Sequence, residues 1–146
     1  MFQVRWAPRL VGIVALATVL VVTAGPAGAA TGSVQVGPTA TRVAGRVALD
    51  VPVTVSLTCD EGFVVGLVDV SVVQARGTEL IFGAGQATFA CTGETQDLTV
   101  RVGGGVFHGG PALVNATLLQ CQGEGANLTC FFTDISTSEE IRIRGG

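Results

Sequence analysis

The chain is predicted to be all-β: an antiparallel β-sandwich of about seven to nine short strands, stapled by two disulfides and preceded by a cleaved leader. Three observations predict it. Seven alternate positions, Val47, Leu49, Val51, Val53, Val55, Leu57 and Cys59, are apolar without a break. That is the period of a half-buried strand, because successive strand side chains point to opposite faces. No segment sustains a helical period, and turns rich in Gly and Asp separate the apolar runs. Finally, four cysteines in an exported domain of this size make a disulfide framework.

The N-terminus carries the parts of a secretory signal. Arg5 and Arg9 form a positive n-region, Leu10 to Val22 is uncharged and apolar, and Ala24 to Ala30 is small-residue-rich, with cleavage expected after Ala29. The rival is a membrane anchor, but Gly25, Pro26 and Gly28 interrupt the second half of the run. The segment has no cysteine for a lipoprotein anchor. The expected product is therefore secreted and extracellular, with no membrane attachment after cleavage. The domains are 1–29 (signal peptide), 30–45 (an N-terminal segment or edge strand) and 46–146 (the sandwich).

Eight arginines, less the two in the leader, leave six against eleven acids, for a net charge of −5 on the exported chain. Lysine is absent, which reads as the codon bias of a GC-rich bacterial genome. An acidic surface with arginines dispersed along the sequence argues against nucleic acid, which needs a clustered basic face. It argues equally against anionic membranes. Trp6, the sole tryptophan, departs with the leader, and tyrosine is absent, so sugar stacking lacks its usual platforms. The remaining aromatics are Phe63, Phe82, Phe89, Phe107, Phe131 and Phe132, most of them expected in the core.

Taken in order, Ser33–Val36 is a short strand. The opening ladder follows, with Pro52 expected to split it into 46–51 and 53–59, since proline donates no hydrogen bond. Phe63 to Gln74 alternates Val68, Val70 and Val72 against Asp69 and Ser71. Leu80–Phe82 and Gln86–Cys91 read as strands separated by a bulge at Gly83–Gly85. Thr92 to Asp97 is a hairpin loop into Leu98–Val102, and Gly103 to Pro111 is a flexible glycine-rich loop. Pro111–Cys121 and Leu128–Thr133 flank a turn, a polar loop follows, and Ile141–Arg144 closes the chain.

Cys121 and Cys130 face each other across that turn. Cys59 and Cys91 each follow an apolar residue two positions earlier, Leu57 and Phe89, and so face one core. The expected pairs are Cys59–Cys91 and Cys121–Cys130. The loop-entropy account assigns about 3 kcal/mol to the shorter loop and about 4 to the longer. Spacings of 32, 30 and 9 residues do not suit zinc, so no metal site is expected.

Catalytic chemistry finds little support. His108 is the sole histidine, there is no G-x-S-x-G elbow, and the acids fall mostly at turns. No cofactor is implied. The candidate binding loop is Gly103–Pro111, where Phe107 and His108 offer an apolar ring beside a titratable group. The alternative is that Phe107 tucks into the end of the fold and His108 is solvated. Asn115-Ala116-Thr117 and Asn127-Leu128-Thr129 match glycosylation acceptors that a bacterial product is expected to leave unused.

The stretch Cys121-Gln122-Gly123-Glu124-Gly125-Ala126-Asn127-Leu128-Thr129-Cys130, followed by a polar loop and Ile141-Arg142-Ile143, resembles the C-terminal end of the neocarzinostatin-type chromophore apoproteins. Over its whole length the chain resembles small exported bacterial proteins with an immunoglobulin-like sandwich. A core cysteine ends the strand Val53–Cys59, and Gly110-Pro111-Ala112 opens a late one. The resemblance implies a fold rather than an activity. The expected function is a secreted, non-enzymatic, monomeric interaction module, extracellular or envelope-associated, with a protein partner. The alternatives are a carrier of a small apolar ligand and a secreted protease inhibitor.

Overall fold

The computed structural model describes residues 30–145; the expected signal peptide Met1–Ala29 lies outside the described residues, as does Gly146. Eight strands follow one another: β1 (Thr31–Val36), β2 (Thr39–Val43), β3 (Ala48–Thr58), β4 (Val65–Arg76), β5 (Glu79–Ala90), β6 (Gln96–Gly103), β7 (Gly110–Gln122) and β8 (Thr129–Arg144). Their spatial order is β1-β3-β2-β8-β7-β4-β5-β6, and β6 pairs back onto β3. β1 lies against Val53–Thr58 of β3, and β2 against Ala48–Asp50 on the same edge, so the two act as halves of one stave. The sheet closes into a seven-stranded barrel.

This corrects the expected immunoglobulin-like sandwich. A sandwich keeps two sheets with free edges, whereas here the edges are joined. β2 runs parallel to β8, Thr39–Thr41 against Arg142–Arg144. β3 pairs with β6 from Ala48 to Val55, and β5 meets β6 at Ala84 and Gly103. Alternation of inward and outward residues is common to both architectures, so the pattern that predicts the strands is silent on closure. The all-β class and both disulfides stand: Cys59 is bonded to Cys91 and Cys121 to Cys130.

Other expected boundaries change for local reasons. Pro52 does not split β3, which runs through it. The neighbouring stave breaks instead, at Gly37-Pro38, where the Gly37 N–H donates to the Pro52 carbonyl at 2.8 Å. N–H and C=O of one strand residue face the same edge, so proline's missing donor lies opposite that break and costs no ladder bond. Gly83–Gly85 does not interrupt β5 either. A Cβ on Gly85 would collide with the carbonyl of Arg101, and one on Gly83 would stand 2.6 Å from the Phe107 ring. These glycines let β5 press against β6 at the closing seam. Residues 91–95 join the antiparallel neighbours β5 and β6 as expected, but the two strands pair only at Ala84 and Gly103, and β6 pairs along its length with β3 instead. The supposed polar loop at 134–140 is strand, alternating half-buried and exposed residues within β8. There Glu139 turns partly inward and its Oε2 accepts from the Val36 N–H at 2.9 Å, satisfying a donor on β1.

The interior is filled. Leu49, Leu57, Leu118, Ile143, Phe107 and a set of valines are almost wholly buried, while Thr54, Ser71, Gln86, Thr99 and Ser136 stand on the outside. Apolar inside and polar outside is the reverse of a membrane-spanning barrel. No helix among the described residues is long and apolar enough to cross a membrane. The phenylalanines depart from expectation. Among the described residues only Phe89 and Phe107 are buried, Phe63 is half-buried, and Phe82, Phe131 and Phe132 are exposed. Slim β-branched side chains fill this narrow interior, and the rings are left to the surface. Val47, first of the alternating ladder, is also exposed, because it belongs to the turn before β3.

Candidate functional site

Every strand runs opposite to its neighbours except across the β2–β8 seam. Successive turns therefore fall at alternate ends of the barrel. One end collects the β2–β3 turn, the β4–β5 turn, the β6–β7 loop and the end of β8. The other collects the β3–β4 loop, the β5–β6 connection and the β7–β8 turn.

Charge divides the same way. Arg42, Arg46, Arg76, Arg101, Arg142 and Arg144 all lie at or near the first end, together with two acids, Asp50 and Glu79, the latter opposite Arg76 in the β4–β5 turn. Asp60, Glu61, Glu94, Asp97 and Glu124 lie at the second, where no arginine stands among the described residues. The arginines, dispersed along the sequence, are thus gathered in space into an arginine rim facing an acidic rim. Only Arg101 makes a salt bridge among the described residues, a two-point contact of its Nε and Nη2 with the Asp50 carboxylate. That hydrogen bond, reinforced by the charge of Asp50, raises the Arg101 guanidinium above its ordinary value. The others keep donors in reserve, and the Nε of Arg42 is buried without a partner.

The β2–β3 turn gives this rim its shape. Ala44, Gly45 and Arg46 hold φ of 51°, 68° and 77°. Left-handed backbone disfavours Ala and Arg, so two of the three residues are strained. The turn curls around an open depression of about 540 Å³ lined by Arg42, Val43 and Ala44 to Arg46. A second depression, of about 380 Å³, lies between Arg76, His108 and Pro111, and a third, of about 390 Å³, between Leu80, Phe82 and Val106. All three open at the arginine rim.

The two residues singled out in the β6–β7 loop are there too, in different roles. Phe107 is fully buried and plugs the barrel end, its N–H donating to the Arg46 carbonyl at 3.0 Å. His108 is half-buried and its ring Nδ1 contacts Nη1 of Arg76. Its backbone is held by Gln74, which accepts from the His108 N–H and donates to the His108 carbonyl, both at 2.9 Å, and donates to the Pro111 carbonyl at 3.4 Å. The glycine-rich loop is thus fastened rather than free. Val106, 51 % exposed, is the apolar side chain it offers to solvent.

Gln120 plays the matching part at the acidic rim. It accepts from the Asp60 N–H at 2.9 Å and donates to the Asp60 carboxylate at 2.7 Å. Gln74 and Gln120 are the buried polar side chains of the described residues, and each pins one rim loop. Both disulfides also sit at the acidic rim. Exposed apolar groups decorate it, with Phe132 75 % and Val64 63 % exposed, and Phe63 meeting Phe131 edge-on at 5.8 Å. The acids expected mostly at turns divide, since Asp50, Asp69, Glu79, Asp97, Asp134, Glu139 and Glu140 lie within strands. Among the described residues no three His, Cys, Asp or Glu side chains converge as a metal site would require.

Sequence reasoning missed the glutamines and the rims. A signal was present for the former: Gln74 continues the inward phase of Val68, Val70 and Val72, and Gln120 that of Val114, Ala116 and Leu118. A polar residue that prolongs an apolar phase marks a barrel end needing hydrogen bonds.

Comparison of the chain with family models, with curated proteins and with solved structures finds no match.

Chemically, the arginine rim can bind anions. Guanidinium groups present planar forks of N–H donors that match carboxylate or phosphate oxygens two at a time.

Proposed function

We propose that this chain is a secreted, non-enzymatic interaction domain, extracellular or attached to the envelope, which engages its partner through the arginine rim. The observation that carries the reading is the segregation of charge: six arginines against Asp50 and Glu79 at one rim, with Arg101 alone salt-bridged among the described residues, and acids without arginines at the other. Ordinary solubility would be served as well by charges scattered over the whole surface. Two disulfides point to an oxidising, exported environment. The fastened loops support binding without reordering, which saves conformational entropy on association. The carrier reading gains nothing from an interior already occupied by side chains.

The test is retention of material from culture medium and envelope extracts on immobilised protein. A component held by the parent should be released by salt and lost on the double charge reversal Arg46→Glu with Arg144→Glu, both exposed positions. Equal retention by the variant would remove the arginine rim from the reading.

A further inference from the structure

We propose that the partner of the arginine rim is a second copy of this chain, seated by its acidic rim, so that the barrels associate head to tail. The proposal rests on the reading of that rim as the binding end and names its occupant.

The complementary surface is on the molecule itself. Arg42, Arg46 and Arg144 at one end, where Glu79 stands opposite Arg76, answer Glu61, Glu94 and Glu124 at the other, where no arginine stands among the described residues. Each rim also carries exposed apolar groups among its charges: Val47, Leu80 and Val106 with the arginines, and Val64, Phe131 and Phe132 with the acids. Apolar contacts framed by charge pairs form the anatomy of a specific interface. Both surfaces are preformed, one held by Gln74 and the Phe107 plug, the other by Gln120 and two disulfides. Strained residues lie in the arginine-bearing turn, where a binding role accounts for keeping a conformation that costs stability. Because the two rims differ, the contact does not close after two copies, and association continues as an open chain. Ends of opposite sign also orient the encounter, although copies of net negative charge repel on average.

Sedimentation of the untagged exported chain over a range of concentrations tests this. At about 20 mM salt the average mass should climb past that of two copies. At about 500 mM salt, where screening shortens the reach of exposed charges to a few ångströms, it should return to one. Arg46→Glu with Arg144→Glu should leave a monomer, and so should Glu61→Arg with Glu124→Arg. Mixing the two variants in equal amounts should restore association, because each reversed rim then finds a complementary one. Restoration also shows that both variants are folded. A parent chain that stays monomeric at every salt concentration overturns the proposal, as does a dimer that grows no further or association that the reversals leave intact. If the monomer instead sediments with anionic phospholipid vesicles through the same arginines, the proposal falls and the rim belongs to a membrane surface. Monomeric behaviour combined with rim-dependent retention of another component refutes self-association alone. Without such retention, the broader reading falls as well.

Discussion

Three consecutive left-handed residues stand where the chain turns from β2 into β3. A glycine suits that conformation, and only the middle one is a glycine. Ala44 is exposed and makes no side-chain hydrogen bond, so its strain has no local return. Replacing it with glycine relieves the backbone, partly offset by the greater freedom of glycine in the unfolded chain. Ala44→Gly should raise stability by about 0.5–1 kcal/mol, read as a higher urea midpoint with unchanged slope. Ala44→Val should lower it, because a β-branched residue tolerates positive φ worst. A null result for both would remove strain from the account of this turn. The two buried glutamines show the same economy at single positions: each side chain uses both its donor and its acceptor to hold a loop over an open barrel end.

Among the elements, β5 shows how a strand can be misread from its residues. Gly83-Ala84-Gly85 looks like an interruption, because glycine weakens isolated strands. Its value lies in the missing Cβ, which lets β5 sit close to Arg101 and Phe107 of the neighbouring segment. Gly85→Ala should therefore open the closing seam and cost about 1–3 kcal/mol, seen as a lowered thermal midpoint. An unchanged midpoint would show that the seam has room to spare. The existence of the strands, the inward phase of β3 and β4 and the cysteine pairs were legible, because each depends on neighbours in sequence or on simple facing. Closure was not. It depends on which strands meet across the seams, and neither Pro52 nor the glycines of β5 reveal a partner many residues away. The polar run at 134–140 was missed because Ser, Thr and Glu satisfy the strand period only with the weak apolar signal of Ile135.

At the scale of the whole molecule, the charged rims were legible in one sense. Alternate turns of an up-and-down chain share an end, and here the arginine-bearing turns fall at one end, Arg46 and then Arg76 with Glu79 opposite it, while Asp60, Glu61, Glu94 and Glu124 fall at the other. Charge summed turn by turn, rather than as a total, carries that division. The placement of covalent links is equally lopsided, since both disulfides brace the acidic rim while hydrogen bonds hold the other. Reduction should cost about 2–5 kcal/mol per bond removed. Its first sign in hydrogen exchange should be loss of protection at 59–64, 91–95 and 122–130, with the amides around Gln74 and His108 protected until global unfolding. Loss spread evenly over both rims would contradict this division. The parallel seam between β2 and β8 has a consequence in time. It joins Thr39–Thr41 to Arg142–Arg144, residues about a hundred positions apart. A chain synthesised from its N-terminus delivers β2 well before β8, so β2 waits with one edge bare until β8 arrives. Completion of the barrel is thus deferred until β8 is available, and the seven staves cannot lock before it.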